Sequence, residues 1–236
     1  MSKEPDITIE EARELVSDAA LWPRVRDFLW DFAPQVHQSW LGDLKLCETL
    51  GEGRDGRESP VSQLMSTMRV KQFVLSSLGV EPCFHAFPKS DWSRLLLLDG
   101  ATLESIAKWL GALVASGALR RVTDGAVVRK LRKSLSGVYP EVFGYTEYFR
   151  KLNIENSEFK IRENGGEIVA ATGCSLLSAL IDHLPGQLLV RLRLKLPKAL
   201  STDESSDCRP STFNFQLSNL QLLLKLRFPE AYSLCC

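Results

Sequence analysis

Between Thr102 and Gly117 the apolar residues Leu103, Ile106, Ala107, Leu110, Leu113 and Val114 recur at i, i+3, i+4 and i+7. A strand cannot gather that spacing on one side, whereas a helix can. Glu104 and Ser105 in the first turn and Gly117 at the end punctuate it as a helix. The same grammar recurs along the chain. Thr8 and Glu11 form a capping box ahead of Ile9, Ala12, Leu15, Val16 and Ala19. Pro23, Pro34 and Pro60 each stand where a missing N–H costs a first turn nothing. Helices are expected near 8–20, 24–33, 35–50 and 61–78, with a loop over 79–89. A short apolar helix follows to Leu98, with an Asp99-Gly100 turn behind it.

Beyond Gly117 a second turn at Asp124-Gly125 precedes a helix over 126–135, stopped by Gly137. Pro140 to Leu152 reads as another helix, and 153–166 as loop or a short strand around Phe159 and Ile161. Glu167 to His183 is helical, although Gly173 weakens it by about 1 kcal/mol relative to Ala. Residues 190–196 alternate like a strand, yet Pro185 and Pro197 bracket good helix formers and Leu188, Leu189, Leu192 and Leu196 fit one helical side. Helix is the reading adopted there, with strand as the alternative. A last helix is expected over 214–227. The fold class is mainly α, an irregular multi-helix globular bundle with room for one or two short strands. One mostly helical domain is expected over 1–236, with flexible loops near 51–60 and 201–211.

Composition fits that picture. At 236 residues, 44% hydrophobic and 25% charged, the chain is neither disordered nor a disulfide-dense miniature. Folding at this length removes about 70% of the unfolded surface from water. Six scattered cysteines without CxxC spacing and a polar start imply reduced thiols and a soluble cytoplasmic protein. Apolar runs such as 95–98 and 220–224 fall far short of the roughly 20 residues a membrane span needs.

Chemistry is sparse. Gly51, Gly53 and Gly56 match G-x-G-x-x-G, but a helix precedes them and Glu52 and Asp55 would repel phosphate. Cys83 and His85 lack the second pair that structural zinc requires, so no metal site is expected. His183, Asp182 and Ser175 do not form a triad, because neighbouring helical residues point apart and no nucleophile elbow is present. No catalytic residue and no cofactor are expected. Trp22, Trp30, Trp40, Trp92 and Trp109 mostly sit on apolar helix faces and read as core. Cys235 and Cys236 at the end lack the order that prenylation requires. The octets starting at Leu192 and Leu224 look alike, but one recurrence does not build a solenoid.

Equal numbers of basic and acidic side chains, 29 of each, hide an asymmetry. Residues 1–66 carry 7 basic and 13 acidic groups, and the remainder 22 and 16. The densest positive block lies at 119–135. It holds Arg120, Arg121, Arg129, Lys130, Arg132 and Lys133 against one acid, Asp124. Val128, Leu131 and Leu135 line one side of its helix. Three readings fit: a solvated helix surface, which is the common fate of such charge; a patch for an acidic protein; and the second helix of a DNA-binding helix-turn-helix. A neutral protein forfeits long-range attraction to phosphate, which ranks a protein partner above nucleic acid.

The stretch from Leu95 to Glu104, with Trp109 to Gly111, Leu119 to Val122, Asp124-Gly125 and Val128 to Arg132, resembles the SctK family (YscK/PscK type) of type III secretion injectisomes. Leu184-Pro185 and Arg191 to Pro197 are similar to that family's C-terminal part. The resemblance implies a helical, non-enzymatic cytoplasmic adaptor of the sorting platform, at the inner membrane but without a span of its own. It would link the ring protein SctD to the pod protein SctQ, and through it reach SctL and the ATPase. The resemblance supplies no catalytic residues and no cofactor.

Overall fold

The structure is a computed structural model that describes residues 21–29, 31–44, 67–80, 91–149, 161, 164–181, 184, 186–201 and 217–235. The expected helix over 8–20, the loop over 51–60, most of the loop over 201–211 and the short strand at Phe159 lie outside these residues. In chain order the α-helices are α1 (Trp22–Leu29), α2 (Gln38–Leu41), α3 (Met68–Ser77), α4 (Gly100–Val114), α5 (Ser116–Arg120) and α6 (Gly125–Ser134). They continue as α7 (Val142–Tyr145), α8 (Gly165–Leu180), α9 (Gly186–Lys195), α10 (Lys198–Ser201), α11 (Leu217–Arg227) and α12 (Pro229–Cys235). Three 3-10 segments, Ala33–Gln35, Gly42–Leu44 and Asp91–Leu97, complete the order. The fold is mainly α, and no strand occurs among the described residues; Ile161 is not in one.

Backbone contacts divide the chain into two compact units. The first is Met1–Asp99 with Leu184–Pro197 and residue 235; the second is Gly100–His183 with Lys198–Leu234 and residue 236. In the first unit, α1 buries Val25, Phe28 and Leu29, and Phe32 joins Phe28 edge to face at 5.6 Å. The expected helix over 35–50 is broken: Pro34 lies in a 3-10 turn, and α2 is a single turn. Trp40 donates its indole N–H to the Leu196 carbonyl at 2.9 Å, which satisfies the polar edge of a part-buried ring. Helix α3 stops at a left-handed Gly79 (φ 69°), where Val80 N–H reaches the Leu75 carbonyl and Gly79 N–H that of Ser76. Together these two bonds close the helix in a Schellman motif.

The core of the second unit is the pair α4 and α8, both apolar almost all round and therefore buried almost all round. Their backbones cross at Gly111 and Gly173. A Cβ on Gly173 would lie 1.7 Å from the Ala107 carbonyl oxygen, and one on Gly111 would lie 1.8 Å from that of Val169. The glycine that weakens α8 locally is thus what allows the crossing. Gly117 does not end a helix as expected. The Ala115 carbonyl accepts from Leu119 N–H, and the burial of Ala118 and Leu119 carries α5 on to Arg120. The helix expected over 140–152 shrinks to α7 within a run of turns that reaches Phe149; residues 150–152 lie outside the described residues.

The two similar octets share one feature, a helix that ends on a cation two residues before a proline. Helix α9 ends at Lys195, two residues before Pro197, and α11 ends at Arg227, two before Pro229. Both cations lie over aromatic rings, Lys195 over Phe28 at 4.9 Å and Arg227 over Trp109 at 4.5 Å.

Candidate functional site

Asp124 starts α6 as the sequence requires. Its backbone is extended (φ −68°, ψ 118°) and its carboxylate accepts the Ala126 N–H at 2.7 Å. At about 100° per residue, Arg129, Lys130, Arg132 and Lys133 span roughly 160° of the helix, centred opposite Leu131. Leu131 and Leu135 are buried and Val128 is partly so, while all four cations are exposed. Gly166 at the start of α8 lets α6 sit close, because a Cβ there would strike the Ser134 side chain, whereas one on Gly165 would strike Ile161 and only touch Leu131. The apolar side of α6 is therefore fixed by packing, and its cationic side is turned to water.

Arg120 and Arg121 are exposed too, but they behave differently. The Arg120 guanidinium donates to Thr146 Oγ1 at 2.6 Å and lies 5.5 Å from the centre of the Phe143 ring. Thr146 Oγ1 in turn donates to the Phe143 carbonyl. Arg120 thereby closes the base of an excursion, residues 121–142, that carries α6. Arg121 bonds back to the Gly117 carbonyl at 3.2 Å. All six residues singled out from the sequence are thus at the surface, with Arg120 engaged on α7 and Arg121 bonded back to its own helix.

Two further cations stand out that sequence reasoning missed. Arg191 and Lys195 on α9 are 1% and 2% exposed. Arg191 donates to the Phe28 and Leu29 carbonyls at 2.6 and 3.1 Å and lies over the Phe28 and Phe32 rings. Lys195 Nζ donates to the Leu96 and Leu98 carbonyls at 2.6 and 2.9 Å. Burial pushes the Lys195 ammonium down to about 7, with the Asp99 carboxylate pulling the other way. The signal was present: Leu188, Arg191, Leu192 and Lys195 stand at i, i+3, i+4 and i+7, the spacing of a buried stripe with two of its members charged. These cations face backbone carbonyls at the ends of α1 and of the 3-10 segment, so their role is in the core.

Burial raises the Cys174 thiol to about 12, so it is no nucleophile at neutral pH. Among the described residues no three His, Cys, Asp or Glu side chains come together to hold a metal. Cys83, His85, Asp182, His183 and the glycine-rich loop lie outside the described residues. No helix among the described residues is long and apolar enough to cross a membrane.

Comparison with known proteins adds one finding. The family model described as YOP proteins translocation protein K (YscK) matches residues 28–233. Neither the curated proteins nor the solved structures compared give a match. That span runs from the last two residues of α1 into α12, the cationic side of α6 included, and the chain belongs to the YscK family, a component of type III secretion.

Proposed function

We propose that this chain is a non-enzymatic adaptor of the injectisome's sorting platform, joining the cytoplasmic part of the ring protein SctD to the pod protein SctQ. The observation that carries the reading is α6, where four exposed cations are held on a helix whose opposite side is locked into the second unit. An adaptor needs contact surfaces that keep their shape, and a cationic surface on a fixed helix selects an acidic partner surface while steering its approach. The acidic first third of the chain serves a separate contact. Docking occurs at the cytoplasmic side of the inner membrane, with no cofactor and no nucleic acid.

Replacing Arg129, Lys130, Arg132 and Lys133 together by Glu tests this. Co-purification with SctD and with SctQ should lose one partner and keep the other, with helicity and melting unchanged. If the reversed protein retains both partners, α6 is not a docking surface.

A further inference from the structure

Tyr148 is 63% exposed, one of few large apolar side chains at the surface among the described residues. It does not stand alone. Its ring packs at 6.3 Å on Tyr145, which meets Trp109 edge to face at 5.3 Å. Arg227 lies over both Trp109 and Tyr145, donates to the Tyr145 hydroxyl at 3.2 Å and is anchored on Glu141 at 2.6 Å. An exposed ring is therefore mounted on a buttressed stack whose deepest member, Trp109, is buried in α4. Tyr148 lies two residues beyond Thr146, the residue that ties Arg120 to α7 and closes the excursion bearing α6. Rigid tyrosines backed by arginine lose little conformational freedom on contact and are enriched among the residues that dominate binding energy.

We propose that Tyr148 is the apolar anchor of the docking surface whose cationic part is α6, and that the occupant is an acidic protein segment carrying an aromatic or leucine side chain that seats on the Tyr148 ring. Charge complementarity selects the acidic segment: the block 119–135 holds six exposed cations, and its one carboxylate, Asp124, is occupied in capping α6. This deepens the adaptor reading and rests on it. The two parts of the surface divide the work. Cations at a rim set the approach and its salt dependence, whereas a desolvated anchor sets the lifetime of the complex.

Surface-immobilised full-length protein is exposed to purified SctQ and, separately, to the SctD cytoplasmic domain, and both rate constants are read. For the partner that the α6 reversal loses, Tyr148→Ala should raise the dissociation rate about tenfold, the equivalent of 1.4 kcal/mol. Its association rate and salt dependence should stay as in the parent, and Tyr148→Phe should behave like the parent. An unchanged dissociation rate for Tyr148→Ala overturns the anchor and leaves the adaptor reading standing. An effect of Tyr148→Ala confined to the association rate overturns it equally. If the α6 reversal keeps both partners with parental rates, the adaptor docking surface and its anchor fall together. Circular dichroism melting of each variant verifies that the fold is kept.

Discussion

Helices α6 and α9 are both ten residues long, and both are rich in Arg, Lys, Leu and Val. They put their charges to opposite uses. In α6 the cations avoid the side held by Leu131 and face water. In α9 two of three cations share the inward stripe with Leu188 and Leu192, and only Arg193 is exposed. The difference lies in what each helix meets. Helix α9 faces the carbonyl ends of α1 and of the Asp91–Leu97 segment, where the backbone presents partial negative charge and unsatisfied acceptors. Helix α6 packs on the start of α8, the end at which a helix presents N–H groups rather than carbonyls. A basic helix is thus a surface or a core element according to the backbone dipoles it encounters, and its composition does not say which.

Removing one cation from each helix should widen that contrast. Arg191→Ala leaves the Phe28 and Leu29 carbonyls without their donor and opens a cavity between aromatic rings, at a cost of about 3 kcal/mol or more. Arg132→Ala should leave the unfolding midpoint where it is, because an exposed side chain on the water-facing side of a helix contributes little to stability. Urea unfolding of the two variants reads both outcomes. Equal midpoints would erase the distinction between the helices.

A subtler effect concerns Lys195. Its unfolded-state value is near 10.5 and its folded value about 7, so between these the unfolded chain holds a proton that the folded chain has released. Stability then rises with pH across that window, and the contribution is flat below about 7. Working between about pH 7 and about pH 8.5 keeps clear of Cys174, whose raised thiol acts in the opposite sense above its ordinary value of 9.0. The midpoint should climb over this range in the parent, and Lys195→Met should flatten the climb. The same slope in both proteins would show that the buried ammonium is not its source.

How much of this was legible beforehand follows from the same physics. Helix α6 could be read almost to the residue because its signals are local: an Asp cap, an apolar stripe three and four apart, and Gly137 at a φ of 77° behind it. The interior of α4 was legible for the same reason. Gly117 was read as a stop because the burial of Ala118 and Leu119 beyond it is no local signal, and the crossing at Gly173 was not foreseen because a glycine's meaning depends on what packs against it. Gly173 faces the Ala107 carbonyl from a helix some sixty residues away in sequence, and no propensity scale contains that contact. The ambiguity over 190–196 arose because charged members of the buried stripe imitate strand alternation, and the carbonyls that satisfy them lie about 100 or more residues away in sequence. In the candidate site, the cations of α6 could be found by composition. The aromatic stack under Tyr148 could not, since Trp109, Tyr145 and Arg227 meet only through the packing of α4, α7 and α11.

The central claim is that the exposed side of α6 meets an acidic partner, and ionic strength probes it most directly. The association rate of the intact protein with the partner that depends on α6 is measured from about 50 mM to about 500 mM salt, beside that of the protein with its four α6 cations replaced by Glu. Screening at the higher concentration should slow the intact protein by roughly tenfold or more, and the reversed protein should start slow and gain or stay level as salt rises. Parallel, shallow salt dependences in the two proteins would make α6 an ordinary solvated helix and contradict the account.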